Sequence, residues 1–246
     1  MSIIVFQHGA GVGPGRLGVT LRDHGFKLDV RRLDLLGAAG VPGDFDNIHG
    51  VISLGGEQNV GDPVPWMQPE LAFLKEAHAR QLPLIGVCLG HQMIAKALGG
   101  EVGPLEGGGG GKTEWGFTKV SLNPTGQTET MLAGIAWDSM QFQAHGQEVK
   151  QLPPDATLLG SSAACKVQTF KAGIRTYGFQ YHFECDRPMI DEFIASSAES
   201  IAKAGLTAAD VKAQADRHYE MFGRMADRLC VNLATYQFPL LRRLSA

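Results

Sequence analysis

Leu84-Ile85-Gly86-Val87-Cys88-Leu89-Gly90-His91-Gln92 is the stretch from which the rest of the chain can be read. Leu84–Val87 is a continuous apolar run, and residues 91–98 follow with helical spacing until Gly99-Gly100 stops them. A strand that passes into a helix through Gly-x-Cys-x-Gly has the layout of a nucleophile elbow with cysteine at its tip. The glycines have a steric reason: a side chain displayed on so tight a turn leaves its flanking backbone pressed against neighbouring chain, where a Cβ would clash. The helix that begins just after the turn aims free N–H groups and a partial positive charge at the sulfur. That favours a thiolate and, later, an oxyanion. A free cysteine is ordinarily a small buried hydrophobe. Glycine spacing and strand–helix context together favour the nucleophile reading for Cys88, whereas Cys165, Cys185 and Cys230 lack both and read as structural.

Working outward, residues 3–7 read as a strand and 17–24 as a helix closed by Gly25. Residues 27–33 and 50–54 are further strands, and 69–80 carries Leu71, Phe73, Leu74 and Ala77 at helical spacing. Strands that alternate with helices, and that are apolar on both faces, predict a parallel sheet covered on both sides. Past the elbow the character changes. Residues 117–122, 139–143, 157–162, 166–170 and 175–181 are short and separated by turn residues, as in antiparallel strands. From Arg187 the pattern is helical, with 189–204 and 208–229 as the long segments. No linker and no repeat interrupts the chain. One mixed α/β domain over residues 1–246 is expected, its core covering about 1–186 and a helical extension 187–246.

Bulk composition narrows the class. Hydrophobic residues make up 44% and charged residues 19%, enough apolar material to bury a real core. With 22 basic and 25 acidic residues the formal charge is −3, and no basic stripe points to nucleic acid or an anionic membrane. The apolar start at Met1 to Phe6 lacks a positive flank and a cleavage site, so it fits a first strand rather than a secretion signal. No apolar run approaches the ~20 residues of a membrane-spanning helix. The four cysteines have neither paired nor CxxC spacing, which argues against disulfides or zinc and for a reducing, cytoplasmic setting. No metal or cofactor is expected.

A cysteine nucleophile needs a base, and the base needs a group that holds its tautomer. Of eight histidines, His182 is favoured because it closes the strand-like run Gly178-Phe179-Gln180-Tyr181-His182, with Glu184 two residues on. In an extended segment residues i and i+2 share a face, which lets the carboxylate reach the ring and puts Cys185 on the opposite face. His-x-Glu is weak evidence alone and gains its force from the elbow.

These motifs resemble those of class I, triad-type glutamine amidotransferases, nearest to the glutaminase part of GMP synthetases and their stand-alone relatives. Gly86 to Gln92 is similar to that family's Gly-x-Cys-x-Gly-His-Gln, and Gly178 to Glu184 to its Gly-x-Gln-aromatic-His-Pro-Glu. Ser53-Leu54-Gly55-Gly56 resembles its Gly-Gly turn, and His145-Gly146 lies where it places a glutamine-binding loop. The likeness runs from about Ile3 to Glu184. It implies a three-layer, flavodoxin-like α/β fold with a central mostly parallel sheet, an additional antiparallel strand region and a helical C-terminal extension. It further implies Cys88 as nucleophile, His182 as acid/base and Glu184 as its orienter. The backbone amides of Gly56 and Leu89 would form the oxyanion hole, and Gln92 with His145, Gly146 and Gln147 would contact the backbone end of glutamine. Two positions depart from the pattern: Phe183 replaces a proline, and Glu57 stands where proline often follows Gly-Gly, bringing a negative charge near the substrate.

The function implied is hydrolysis of the γ-amide of glutamine or of a γ-glutamyl compound through a Cys88 thioester. The alternatives are a glutaminase subunit that delivers ammonia to a separate synthase, and a catalytically silent binding protein on the same fold. Other motifs compete less well. Gly13-Pro14-Gly15-Arg16-Leu17-Gly18 satisfies Gly-x-Gly-x-x-Gly, with Asp34 further on, but the extra glycines before it and Pro14 make the loop longer than a dinucleotide turn. Ser53 to Gly56 also resembles an ATP pyrophosphatase loop but lacks the Asp-Ser that should follow. The five glycines from 107 to 111 read as a surface connection or a flap beside the thiol, and the apolar, basic residues 240–244 as a docked or frayed tail rather than a membrane anchor.

Overall fold

A computed structural model describes residues 2–106 and 113–238. The glycine run from 107 to 111 and the tail at 240–244 lie outside the described residues. The first half runs β1 (Ser2–Gln7), α1 (Gly15–Asp23), β2 (Leu28–Arg32), a short α2 (Leu33–Leu36), β3 (Ile48–Ser53), α3 (Met67–Ala79), β4 (Leu84–Val87) and α4 (Leu89–Ala97). The second half contains β5 (Glu101–Pro104), β6 (Glu114–Leu122), a short α5 (Pro124–Thr128), β7 (Asp138–His145), β8 (Gln147–Gln151), β9 (Ala156–Ser161), β10 (Thr169–Ala172) and β11 (Thr176–Phe179). Helices α6 (Arg187–Ser196), α7 (Ala198–Lys203) and α8 (Ala208–Asn232) follow.

The main sheet has the order β2-β1-β3-β4-β11-β10-β9-β6-β7. Strands β2, β1, β3, β4 and β11 pair in parallel, and the ladder turns antiparallel from β11 onward. The apolar residues of β1 explain why its half of the sheet is covered twice. Ile3 and Val5 enter one core with Leu17, Leu21 and Phe222, while Ile4 and Phe6 enter the other with Leu74, Met93 and Phe170. Successive side chains point to opposite faces, so a strand apolar at every position must be packed on both sides. Helices α1 and α8 cover the first face, and α3 and α4 the second. The α/β fold expected from the sequence is the one observed.

Several local expectations shift. Residues 175–181 were expected among the antiparallel strands, yet β11 lies parallel to β4 and antiparallel only to β10. Direction is set by what a strand pairs with, and a short apolar run carries no sign of it. The helix expected at 189–204 is two helices, α6 and α7, separated at Ser197. The ribbon of β5 and β8 had no counterpart, because Val149 is the main apolar side chain that β8 buries. Side-chain caps start the late helices: Asp186 accepts the Met189 N–H at 3.0 Å, and Thr207 forms a capping box with Asp210. Among the described residues, no helix is long and apolar enough to cross a membrane.

Candidate active site

The site is assembled at the carboxyl ends of β3, β4 and β11, which are adjacent in the sheet. Cys88 sits between β4 and α4 with φ 51 and ψ −107, a left-handed conformation that side chains rarely adopt. Its backbone is tied on both sides: the Cys88 N–H donates to the Phe179 carbonyl at 2.8 Å, and its carbonyl accepts from the Gln92 N–H at 3.1 Å. The glycine spacing has the steric cause expected. A Cβ at Gly86 would lie 2.5 Å from the Gly90 oxygen, and one at Gly90 would overlap the Ser53 carbonyl. Strain of this kind costs on the order of 1–3 kcal/mol and persists only where the surroundings enforce it.

His182 and Glu184 come together as anticipated, by a different route. Strand β11 ends at Phe179, so His182 lies beyond it in a turn rather than in extended chain. The His182 N–H donates to the Phe142 carbonyl at 2.9 Å, and its ring packs on Phe193 with centroids 5.2 Å apart. Nδ1 donates to Glu184 Oε1 at 2.7 Å. Nε2 has no hydrogen-bond partner among the described residues and is the ring atom left to take a proton. Burial opposes a charge on this ring, but Glu184 and the neighbouring Cys88 outweigh it and hold His182 well above the ordinary histidine range. A Cβ at Gly55 would lie 2.8 Å from His182 Cε1 and 3.6 Å from the Cys88 Cβ, which puts both side chains against one face of the Gly55-Gly56 turn.

That turn runs between the end of β1 and α4: the Leu54 N–H donates to the Phe6 carbonyl at 3.0 Å, and its carbonyl accepts from the Gly90 N–H at 3.1 Å. No protein acceptor takes the N–H of Gly56 or Leu89 among the described residues. Neither is committed to another group of the described residues.

The residues assigned to substrate contact are also brought together, but their side chains largely face one another. Gln92 Nε2 donates to the Gln147 carbonyl at 2.9 Å and to Gln180 Oε1 at 3.0 Å. His145 Nδ1 donates to the same Gln147 carbonyl at 2.8 Å, while Nε2 meets Glu114 Oε2 at 2.9 Å. Gln147 Oε1 accepts from the Val60 N–H at 2.9 Å. These bonds fix residues 144–147 beside the thiol, where Cys88 Sγ lies 3.8 Å from the Ala144 carbonyl. The Gly146 carbonyl is bonded too, accepting from the Leu105 N–H at 2.9 Å.

Supporting residues that sequence reading passed over surround this set. The Gly-x-Gly-x-x-Gly loop is occupied by the turn that carries Glu184: the Arg16 N–H donates to the Glu184 carbonyl at 2.8 Å, and Arg16 Nε to the Cys185 carbonyl at 3.2 Å. Gly15 has φ +42, and a Cβ there would overlap the Glu184 carbonyl, so this glycine serves the turn that carries Glu184. Cys185 was placed away from Glu184 by strand alternation; because the segment turns, its Sγ instead lies 3.9 Å from Glu184 Oε1. Burial and Glu184 push that thiol up to about 12, which keeps it protonated and unreactive. His91 is buried and pushed down to about 3 by desolvation, so it is a neutral packing residue against Phe170.

Among the described residues, two groups place carboxylate, imidazole and thiol atoms within 4.8 Å of one another: Glu114, His145 and Cys165, and His182, Glu184 and Cys185. In the first, Glu114 already accepts from Thr118, Ser162, His145 and Gln168. The second is the His182–Glu184 pair with the neighbouring Cys185.

The family model described as glutamine amidotransferase class-I matches residues 17–194, a span that contains the elbow and the His182–Glu184 turn. The chain belongs to this glutamine amidotransferase family. Among its relatives, a glutamine-hydrolyzing GMP synthase subunit of Methanobrevibacter smithii is 36% identical over 104 residues, 42% of this chain and 50% of that protein. The corresponding protein of Thermococcus kodakarensis is 33% identical over 114 residues, covering 46% and 56% of the two chains. The chain spans about half the length of the curated relatives it matches. Of the solved structures, a glutamine amidotransferase from Methylobacillus flagellatus superposes with a TM-score of 0.82 at 26% identity, over 94% of this chain and 93% of that one. One from Thermotoga maritima gives a TM-score of 0.81 at 20% identity, over 96% and 98%, and shows the shared fold.

Proposed function

We propose that this amidotransferase chain hydrolyses the γ-amide of glutamine, or of a γ-glutamyl compound, through a thioester on Cys88. The observation that supports this most is the meeting of three independent features: a strained elbow at Cys88, a His182–Glu184 pair at 2.7 Å, and a glycine turn in contact with both. Cys88 attacks the amide carbon as a thiolate, its proton already held on His182 Nε2. The carbonyl oxygen gains negative charge and is met by the N–H groups of Gly56 and Leu89. His182 then gives its proton to the leaving nitrogen, which departs as ammonia or an amine. Water, deprotonated by the same ring, attacks the thioester and releases the carboxylate and the thiol. Glu184 keeps the Nδ1–H oriented and balances the charge on the ring throughout. Gln92, His145 and Gln147 shape the loop at 144–147 that receives the substrate's backbone end. On this reading residues 1–246 form one domain, with residues 187–246 as its helical extension, and the protein works in the cytoplasm.

Incubation with glutamine and with γ-glutamyl peptides, together with mass spectrometry after a glutamine-analogue alkylator, tests the proposal. Release of ammonia or amine, and labelling of Cys88 that glutamine prevents, are the expected results. No release from either substrate together with an unlabelled Cys88 would sink it. A second reading is a glutaminase subunit that passes ammonia to a separate synthase, favoured by relatives that are themselves glutamine-hydrolyzing subunits of GMP synthases. Recovery of a synthase partner whose product then forms from glutamine would select that reading.

A further inference from the structure

Beside the candidate site is a buried ion pair that the chemistry above does not use. His8 follows β1 and Glu70 lies on the buried face of α3; both side chains are fully buried. His8 Nε2 meets Glu70 Oε2 at 2.8 Å, and Nδ1 meets the Gly55 carbonyl at 3.1 Å. The other carboxylate oxygen, Oε1, accepts from Ser53 Oγ at 2.7 Å, and the imidazole lies against Trp66 with centroids 4.6 Å apart. A carbonyl oxygen only accepts, so Nδ1 carries a proton, and the carboxylate takes the second one from Nε2. Burial disfavours the charge, yet Glu70 and the Gly55 and Leu54 backbone outweigh it and raise the ring above its ordinary range. Taking two charges out of water is costly, and a pair kept in that position is best explained by what it holds.

What it holds is one peptide group. The Gly55–Gly56 bond is trans, so its C=O and N–H point in opposite directions. A carbonyl turned to His8 therefore turns the Gly56 N–H away from His8, and Gly55 itself packs against His182 and Cys88. A peptide between two glycines rotates more freely than any other, so without an anchor both orientations are open to it.

We propose that His8, backed by Glu70, is a positioning residue that locks the Gly55–Gly56 peptide with its N–H aimed at the acyl oxygen, preforming the oxyanion hole before substrate arrives. This rests on the thioester reading above and adds that the hole needs no partner to assemble it.

Two substitutions at one position separate the roles of the ring nitrogens. Asparagine places its amide nitrogen near that of Nδ1, and glutamine near that of Nε2. His8→Gln keeps the bond to Glu70 and releases Gly55; its kcat is expected to fall ~100-fold with KM changed only a few-fold, as for loss of one oxyanion donor. His8→Asn keeps the bond to Gly55 and retains most of the kcat. Glu70→Gln covers the case in which neither His8 variant folds. Its amide donates to a neutral Nε2 while Nδ1 still holds Gly55, so activity is retained. A His8→Gln enzyme with unchanged kcat, or a Glu70→Gln enzyme that loses kcat with Gly55 still bound to His8, would overturn the proposal. Crystal structures of the variants supply a readout that does not need turnover. The Gly55 carbonyl should leave position 8 in His8→Gln and stay in Glu70→Gln. An unmoved carbonyl in His8→Gln overturns the inference even if the wild-type protein proves inactive, whereas inactivity with the carbonyl behaving as expected counts against the thioester reading alone.

Discussion

At the scale of single residues, the candidate triad depends on a charge state that Glu184 creates. His182 is buried, and an isolated buried imidazole is neutral; the carboxylate at 2.7 Å reverses that preference, and by binding Nδ1–H it leaves Nε2 as the atom that carries the exchangeable proton. Glu184→Gln retains the shape and loses both effects. Its kcat is expected to fall by ~1,000-fold or more, with KM little changed and the fold intact by circular dichroism. An NMR titration should show the His182 midpoint moving down, and a midpoint that stays in place would contradict the role given to Glu184. Cys88 was legible because two glycines at fixed spacing report a backbone clash that a sequence can carry. His182 and Glu184 were legible as a motif, although their contact is made across a turn rather than by strand alternation. His8 and Glu70 were not, since the partners are far apart in sequence. One sign was present: Glu70 falls on the same helical face as Met67, Phe73, Leu74 and Ala77, and a carboxylate in an apolar stripe needs a buried partner.

At the scale of elements, the antiparallel half of the sheet is fastened by Glu114 at the start of β6. Its two oxygens accept from Thr118 and Ser162 at 2.8 Å each, from Gln168 at 2.8 Å and from His145 at the end of β7 at 2.9 Å. The cluster joins β6 and β7 to the chain leading into β10, and through His145 it sets the loop at 144–147. Burial raises the Glu114 carboxyl, but the hydrogen bond and charge of His145 and the two hydroxyls lower it further, for a net fall below 4.5. A carboxyl lowered by folding contributes stability that is present above its unfolded value and is lost as pH falls through the folded one. Glu114→Gln turns an amide N–H toward groups that donate, so it should cost ~3 kcal/mol at neutral pH in denaturant unfolding. The gap between variant and wild type should narrow as pH drops below about 4.5; a gap independent of pH would contradict the assignment. Local pattern located most strands of this region, but their partners and directions lay in such distant polar contacts, which periodicity does not report.

At the scale of the whole molecule, the question is whether the late helices are an appendage or part of the core. Helix α8 buries Val211, Ala215, Phe222, Ala226, Leu229 and Cys230 in the same apolar cluster as Val5 and Leu17 of the parallel half and Phe142 of β7. Phe222 meets Phe117 of β6 edge-on with centroids 5.4 Å apart. Arg16, which holds the Glu184 turn, reaches α8 as well, bonding Asp227 at 2.7 Å and the Tyr219 hydroxyl. The sequence showed that α8 is amphipathic, but not which surface it covers, because a helical stripe does not name its partner. Packing of this kind couples the extension to the site: removing an aromatic ring from α8 withdraws contacts from β6 and β7 at once. Phe222→Ala should therefore cost about 3–5 kcal/mol, the usual range for a buried phenylalanine. The loss should appear as one cooperative transition at lower denaturant, with tryptophan fluorescence, which includes buried Trp115 on β6, and far-ultraviolet circular dichroism moving together. If α8 were an independent unit, the helical signal alone would shift and the fluorescence of the sheet would hold its midpoint. Coincident midpoints mean that the fold holding Cys88 in its strained turn includes α8.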